Sequence, residues 1–443
     1  MSERLAIDGG PKAVSKLGPH SGKLHIEELE GLLDLWEYPA GVKEEIVEVI
    51  RRNAEGIKVG NVYRYYNEAS KVLEAEQAMA KYIGTDYCLA VNSGTSALIA
   101  SLRAMGIGSG DEVIVPGYTF FASAAVIGTC NAVPVIADVD DTLTLDPKGL
   151  EAMITPRTKA IIVVHMSGLP AQMDEIMTIA GRHDIPVIED VAQANGGSYK
   201  GRMLGSIGAV GCFSFGASKI LASGEGGFIT TNDEWLYTRA QSWHDCAACW
   251  RPNRYEAERR EGELFCGENY RMSEFQGAVA LAQIQKATLM MSGYRAAKRR
   301  ITQGLALPDH VTLQRVSDPE GDTGTCIFMY LPDADSAKWA IEALRAEGVR
   351  AGGVYDNQVR DWHIYPHWEH ILDRKSVASD GLPWSGTKPE YLPQYARDMC
   401  PQCLDYLTRA VRIPTWYDYS EDICDAIATG INKVFSAQAD MMA

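Results

Sequence analysis

The sequence predicts an α/β protein: a mixed, mostly parallel sheet in a large first domain, then a smaller C-terminal α/β domain. Three observations predict it. Between about residues 70 and 232, apolar strand patterns alternate with helical ones, the order that builds a parallel sheet covered on both faces. The strand candidates are nearly continuous apolar runs, as strands buried on both sides are. One interval is too short for a parallel crossover. Only about eleven residues separate Phe215 from Gly227, where a dozen or more are needed, so the last strand is expected to run antiparallel.

The elements follow in order. Val72–Tyr82 reads as a helix, a strand ends at Val91, and Thr95–Met105 reads as the next helix. Strands are expected near Glu112–Val115, Val133–Val139, Ala160–His165, Pro186–Glu189, Ala209–Phe215 and Gly227–Thr231, with helices over Pro147–Ile154 and Met173–Arg182. A long helix is expected at about Ser273–Arg299. A strand at Thr325–Leu331 and a helix at Asp335–Glu347 come next, then a long segment rich in Trp, His and Pro over 355–420. This places a large domain at 1–290 and a small one at 291–443.

Composition narrows the function. The chain has 443 residues, 46% hydrophobic and 23% charged, with a net charge of −16 at pH 7. That charge opposes nucleic acid and anionic membranes, which need a basic footprint. No run of 18 apolar residues and no basic-then-apolar leader is seen, so a cytoplasmic protein is expected. Ten cysteines are dispersed, several in apolar runs (Cys88, Cys130, Cys212). The pairs Cys246/Cys249 and Cys400/Cys403 are about 150 residues apart, far beyond zinc-ribbon spacing, and no metal is expected.

The chemistry centres on Lys219. It follows the apolar strand through Phe213 and sits in a loop of small and polar residues, Phe213-Ser-Phe-Gly-Ala-Ser-Lys219 with Gly224-Glu-Gly-Gly227. A lysine that loses its proton in an apolar pocket becomes a nucleophile able to form a Schiff base with an aldehyde. A lone loop lysine is usually a surface lysine, but three more segments supply what pyridoxal phosphate requires. Val91-Asn-Ser-Gly-Thr-Ser-Ala-Leu98 joins a strand to a helix, so Ser93, Gly94 and Thr95 are candidates for a phosphate at the helix N-terminus, with Ser214 adding a hydroxyl; a plain helix cap is the alternative. Pro186-Val-Ile-Glu-Asp-Val-Ala-Gln193 ends a strand in two acids. Asp190 is the candidate partner of a pyridine nitrogen at the carboxyl end of a parallel strand, or else a helix cap, and Gln193 is in range of the ring hydroxyl. Pro116-Gly-Tyr-Thr-Phe-Phe-Ala-Ser123 offers an aromatic platform, Phe120 first and Tyr118 second, with core packing as the alternative. Glu268-Asn-Tyr-Arg-Met-Ser-Glu-Phe-Gln-Gly277 opens the long helix.

These segments, in this order, resemble the DegT/DnrJ/EryC1/StrS family of pyridoxal-phosphate-dependent aminotransferases. The matching motifs are Asn92-Ser-Gly-Thr-Ser-Ala-Leu98, Val115-Pro-Gly-Tyr-Thr-Phe120, His165-Met-Ser-Gly168, Glu189-Asp-Val-Ala-Gln193, the Lys219 segment and Asn269-Tyr-Arg-Met272. The resemblance covers roughly 55–300 well and the rest more loosely. It implies the fold-type-I, aspartate aminotransferase-like architecture and a homodimer with shared active sites. It makes Lys219 the aldimine lysine and Asp190 the partner of the ring nitrogen. Gln193 then lies at the ring hydroxyl, Gly94, Thr95 and Ser214 at the phosphate, and Asn269 reaches the phosphate of the partner's site. Family members with histidine in place of the lysine are sugar dehydratases, so Lys219 implies transamination.

The expected reaction moves an amino group from glutamate or glutamine to a keto-sugar or keto-cyclitol: a nucleotide-linked keto-hexose, a keto-inositol or a keto-octulosonate of lipopolysaccharide. Leu5-Ala-Ile-Asp-Gly-Gly-Pro11 and Arg64-Tyr-Tyr66 look most like the cyclitol branch. The alternatives are a dehydratase-cyclase of the aminohydroxybenzoate synthase type and a pyridoxal-phosphate-binding regulator. The loop Cys246–Cys266, with Trp250, Arg251, Arg254, Arg259 and Arg260, looks longer than usual, and Arg374–Arg397 looks inserted; both are expected to shape the acceptor pocket.

Overall fold

The computed structural model describes residues 4–14, 24–57, 62, 70–249, 256–356 and 358–442. Arg64-Tyr-Tyr66, Trp250, Arg251 and Arg254 lie outside them. The chain forms two compact units, Met1–Ser70 and Lys71–Ala443. In the first, α1 (Ile26–Leu33) and α2 (Val42–Arg52) are joined by a two-pronged ion pair, Arg51 Nε and Nη2 to Glu30 at 2.7 and 2.8 Å.

The second unit begins with α3 (Lys71–Ile83), β1 (Tyr87–Val91), α4 (Gly94–Ala104), β2 (Glu112–Pro116), α5 (Ala122–Thr129), β3 (Val133–Ala137), α6 (Pro147–Met153), β4 (Thr158–Val164), α7 (Met173–Arg182) and β5 (Val187–Asp190). A short hairpin, β6 (Ser198–Tyr199) and β7 (Arg202–Met203), precedes β8 (Val210–Ser214), β9 (Gly227–Thr231), α8 (Glu234–His244) and the long α9 (Glu274–Gln303). The seven-stranded sheet has the order β1-β9-β8-β5-β4-β2-β3. Only β9 opposes its neighbours; the other pairings are parallel. The expected antiparallel strand is therefore present, imposed by the short Phe215–Gly226 connection. Between β1 and α9, two helices went unread in the sequence. α5 follows the aromatic segment directly and is short, mostly small and apolar, and α8 begins with only two residues between it and β9.

Alternate residues of one strand feed opposite apolar layers. Leu89 and Val91 join one, Cys88 and Ala90 the other, and the same holds for Ile162 and Val164 against Ile161 and Val163. This double burial is why the strands read as unbroken apolar runs. Helix starts are fixed by side chains. Ser93 accepts from the Ser96 amide at 3.0 Å, and Ser273 forms a capping box with Gln276. Glu274 Oε2 accepts from the Lys71 amide at 2.6 Å, so part of the Asn-Tyr-Arg-Met-Ser-Glu motif serves to start α3.

A second sheet, β10-β11-β13-β12, is antiparallel throughout. Its strands are β10 (Thr312–Leu313), β11 (Cys326–Tyr330), β12 (Gly352–Gly353) and β13 (Ala410–Pro414). α10 (Ala334–Ala346) and α13 (Glu421–Met442) pack against it, while α11 (Glu369–Leu372) and α12 (Pro401–Thr408) bury Ile371, Cys403 and Leu407 in the same apolar layer as Leu89 and Val91. Among the described residues no helix is long and apolar enough to cross a membrane, and no three His, Cys, Asp or Glu side chains cluster as metal ligands do.

Candidate active site

Parallel strands end on one rim, and the segments that leave that rim are the ones with chemistry. They are 92–95 after β1, 117–123 after β2, 165–168 after β4, 191–193 after β5 and 215–219 after β8; β9 enters at the same rim through Gly226 and Gly227. A cavity of about 500 Å³ opens there, lined by Ser93, Gly94, Thr95, Phe120, Asp190, Gln193, Ser214 and Lys219. Eight of the nine expected site residues thus share one cavity.

Lys219 lies on the cavity wall, partly buried. Burial pushes its amine below the ordinary lysine range, and the charge of Asp190 opposes that shift. A depressed amine is the form that attacks carbonyl carbon. Asp190 ends β5 and is only 4% exposed. Its Oδ1 accepts from the Ala192 amide at 3.0 Å and its Oδ2 from the Ser123 hydroxyl at 2.7 Å. The adjacent Glu189 faces away, into a fully buried pair with His165. His165 Nδ1 accepts from the Ala171 amide at 3.1 Å, so Nε2 carries the proton and donates to Glu189 at 3.1 Å. Burial raises the Glu189 carboxyl, but His165 and the Gly205 and Gly208 amides outweigh it and hold it low.

The N-terminus of α4 borders the cavity through Ser93, Gly94 and Thr95, the helix end whose N–H groups lack intrahelical partners. Close approach of backbone is required there. A Cβ on Gly94 would stand 2.7 Å from the Ser214 Cβ, and one on Gly227 would stand 2.5 Å from the Ser93 carbonyl. Phe120 is 46% exposed and borders the cavity, whereas Tyr118 is 3% exposed and faces a smaller hollow with Ser167, Gln193 and Arg412. Gln193 Oε1 accepts from the Ser167 amide at 3.2 Å, which leaves its amino group as a donor. Ser167 adopts a left-handed φ of 55°, a cost accepted at the rim.

Asn269 does not line the cavity. It is exposed, its Oδ1 accepts from the Arg271 amide at 3.3 Å, and its strand-like segment pairs with Asp245. The same segment abuts the α4 turn, since the Asn92 amide donates to the Tyr270 carbonyl at 2.8 Å. The two segments expected to shape an acceptor pocket do not reach this cavity with their described residues. Arg259 is paired with Glu234 and Glu263, and Tyr395 donates to the Pro134 carbonyl at 2.6 Å.

Residues that the sequence did not single out also line it: Thr119, Ser123, Glu225 and His363. His363 comes from the 355–420 segment. Its ring lies 5.3 Å from Phe120, its Nδ1 is 2.7 Å from Asp361 Oδ1, and its carbonyl accepts the Thr119 amide at 2.9 Å. Nothing in the local pattern around His363 marks it. Ser123 lies inside a quoted motif, and its role needed only the observation that a buried carboxylate wants a donor.

The residues present fit pyridoxal phosphate. A buried carboxylate at a strand end suits a ring nitrogen, an N-terminal helix turn without room for a Cβ suits a phosphate, and an amine with lowered affinity for its proton suits an aldehyde.

Residues 48–380 match the DegT/DnrJ/EryC1/StrS aminotransferase family. The chain is 44% identical over 312 residues to a GDP-perosamine synthase of Caulobacter vibrioides, covering 68% of this chain and 79% of that one. It is 36% identical over 398 residues to an L-glutamine:2-deoxy-scyllo-inosose aminotransferase of Streptomyces kanamyceticus, covering 84% and 87%. The crystal structure of 3-amino-5-hydroxybenzoic acid synthase superposes with a TM-score of 0.71 at 26% identity, over 90% of this chain and 99% of that one.

Proposed function

This chain belongs to the DegT/DnrJ/EryC1/StrS aminotransferase family, and we propose that its cavity holds pyridoxal phosphate on Lys219 and passes an amino group from glutamine or glutamate to a keto-cyclitol or nucleotide-linked keto-sugar. It is an aminotransferase of the sugar and cyclitol type. The observation that carries the cofactor reading is the meeting of Lys219, Asp190 and the α4 N-terminus around one cavity. Bound pyridoxal phosphate supplies an electron sink that lets an amino group leave one carbon and join another. The chain's own residues do the rest. Lys219 anchors the cofactor and then moves a proton as general base and acid at the carbon that gains or loses the amine, a step worth roughly 10²–10⁴-fold. Asp190 faces the ring nitrogen, Gln193 donates to the ring hydroxyl, and Phe120 covers a ring face. Ser93, Gly94, Thr95 and Ser214 hold the phosphate.

The relatives named for glutamine and for 2-deoxy-scyllo-inosose favour that donor and an uncharged polyol ketone; the GDP-perosamine synthase keeps the nucleotide-linked ketone in the proposal. The same proposal includes a cytoplasmic homodimer in which Asn269 completes the partner's phosphate site. It also includes a cofactor-binding domain over 1–290 and a smaller domain over 291–443.

Borohydride reduction of the yellow holoenzyme followed by peptide mapping is the test of the anchor, with the adduct expected on Lys219. An adduct on another lysine ends the reading. Incubation with glutamine and then with 2-deoxy-scyllo-inosose or a GDP-linked ketone tests the rest. Consumption of one amino donor per product is expected; product formed without donor consumption would mark a dehydratase-cyclase.

A further inference from the structure

Asp190 does not stand alone on the cavity wall. Its Oδ2 takes the Ser123 hydroxyl at 2.7 Å, and Ser123 Oγ is 2.8 Å from Thr119 Oγ1. A carboxylate only accepts, and a serine has one proton to give. The Ser123 proton therefore points at Asp190, and the Ser123 oxygen is left to accept from the Thr119 hydroxyl. The direction of the chain is fixed: Thr119 to Ser123 to Asp190. Both hydroxyl residues are 1% exposed in the folded chain and both border the cavity, so the chain runs along its wall rather than through the closed core. Its far end is pinned by the Thr119 amide, which donates to the His363 carbonyl at 2.9 Å. The other carboxylate oxygen is held from its own strand end by the Ala192 amide. Asp190 is thus fixed from two separate segments, the turn that leaves β5 and the first turn of α5.

We infer that Thr119 and Ser123 are positioning residues for Asp190, a hydroxyl relay that sets the carboxylate against the ring nitrogen of the cofactor and ties that setting to the segment carrying His363. The inference rests on the proposed cofactor. A relay of this kind acts on the cofactor's fit before any substrate arrives, so its effects are readable without turnover. Losing a hydrogen bond to a charged group costs enough to change an equilibrium roughly tenfold.

The test uses full-length protein stripped of cofactor and titrated with pyridoxal phosphate, with affinity and the visible circular dichroism of the bound ring as readouts. Ser123→Ala is expected to weaken binding roughly tenfold and to reduce the induced dichroism, because the carboxylate loses its second holder. Thr119→Val, which keeps the shape and drops the first donor, is expected to weaken binding roughly threefold. Ser123→Thr keeps the hydroxyl and should return both signals to near wild type. Wild-type affinity and dichroism in Ser123→Ala would overturn the relay. So would equal losses in Ser123→Ala and Ser123→Thr, which would mark a packing defect. Should Ser123→Ala fail to fold, Thr119→Val carries the test alone, and wild-type signals there overturn the relay. Failure of the wild-type protein to take the cofactor onto Lys219 in the borohydride mapping would overturn the cofactor reading itself, and the relay with it.

Discussion

The rim segments and the 355–400 segment reach the same cavity by different routes. Lys219, Asp190 and Gly94 each lie within a few residues of a strand or helix end, so the sheet that folds them also aims them. His363 lies at no strand or helix end; Asp361 holds it locally, and tertiary contacts bring it to the cavity. Its carbonyl takes the Thr119 amide, Ile364 bridges Tyr118, and the Tyr365 amide donates to the Gly117 carbonyl at 3.0 Å. The first region builds reactivity that a whole family can share; the second adds a side chain whose position depends on everything between. The difference suggests that the rim sets the reaction and the later segment adjusts it.

The largest effects should come from the rim. Lys219→Ala would remove both the proposed covalent anchor and the proposed proton carrier, so turnover should fall at least roughly 10²-fold, while cofactor should still bind through the α4 turn and Asp190. Steady-state rates near wild type would place the chemistry elsewhere. Asp190→Asn keeps the shape but not the charge, and the half-reaction with the amino donor should slow by up to roughly 10², measured by stopped-flow absorbance. If it runs unchanged, Asp190 is not the ring partner.

The electrostatics of the rim give a third handle. Burial lowers the proton affinity of Lys219, whereas Asp174 raises that of exposed Lys200. A lowered amine is neutral, and so reactive, at a lower pH. In cofactor-free protein, competitive acylation read by mass spectrometry should therefore label Lys219 with a lower pH midpoint than Lys200. Asp190→Asn should lower the Lys219 midpoint further, since it removes the charge that opposes burial. Equal midpoints for the two lysines would break the distinction between a built site and a surface.

The later segment should respond more mildly. His363→Phe keeps a ring against Phe120 and removes the polar edge paired with Asp361. The acceptor half-reaction should slow roughly threefold to tenfold, with cofactor affinity and the donor half-reaction unchanged. A loss confined to the donor half-reaction would reverse the assignment of roles.

Much of this was legible in the sequence, for a physical reason. Double burial makes each strand of the main sheet an apolar run, and ligand-binding residues of such sheets follow strand ends. Lys219, Asp190, Gln193 and the Ser93–Thr95 turn could be found that way. The short link after Phe215 gave the one antiparallel strand. What was hidden depends on long-range placement. Tyr118 and Phe120 are two residues apart and read alike, yet one turns into the packing and the other to the cavity. α5 was missed because its eight mostly small residues form no apolar stripe and so show no period. Asp361 and His363 carry no motif, and their place at the cavity appears only when the Thr119 amide is seen to donate to the His363 carbonyl.

The smallest effect is expected in a segment that does not line the cavity. Arg374–Arg397 was expected to shape an acceptor pocket, but none of its described residues lines the cavity; its contacts include those within the segment, those with Tyr365 and Pro366 through Arg397, and those with the opposite rim. Tyr395 donates to the carbonyl of Pro134 near the start of β3, Arg374 Nη2 donates to the Pro393 carbonyl at 2.7 Å, and Trp384 Nε1 to the Lys375 carbonyl at 3.1 Å. β3 is an edge strand, so the Tyr395 contact ties the segment to the border of the sheet. Tyr395→Phe removes one hydroxyl and leaves the Pro134 carbonyl without that partner. The cost should be about 1 kcal/mol of stability, read as a lowered midpoint in denaturant, with both half-reactions at wild-type rates. A change in acceptor KM at unchanged stability would reverse this, and would make the segment part of the acceptor site after all.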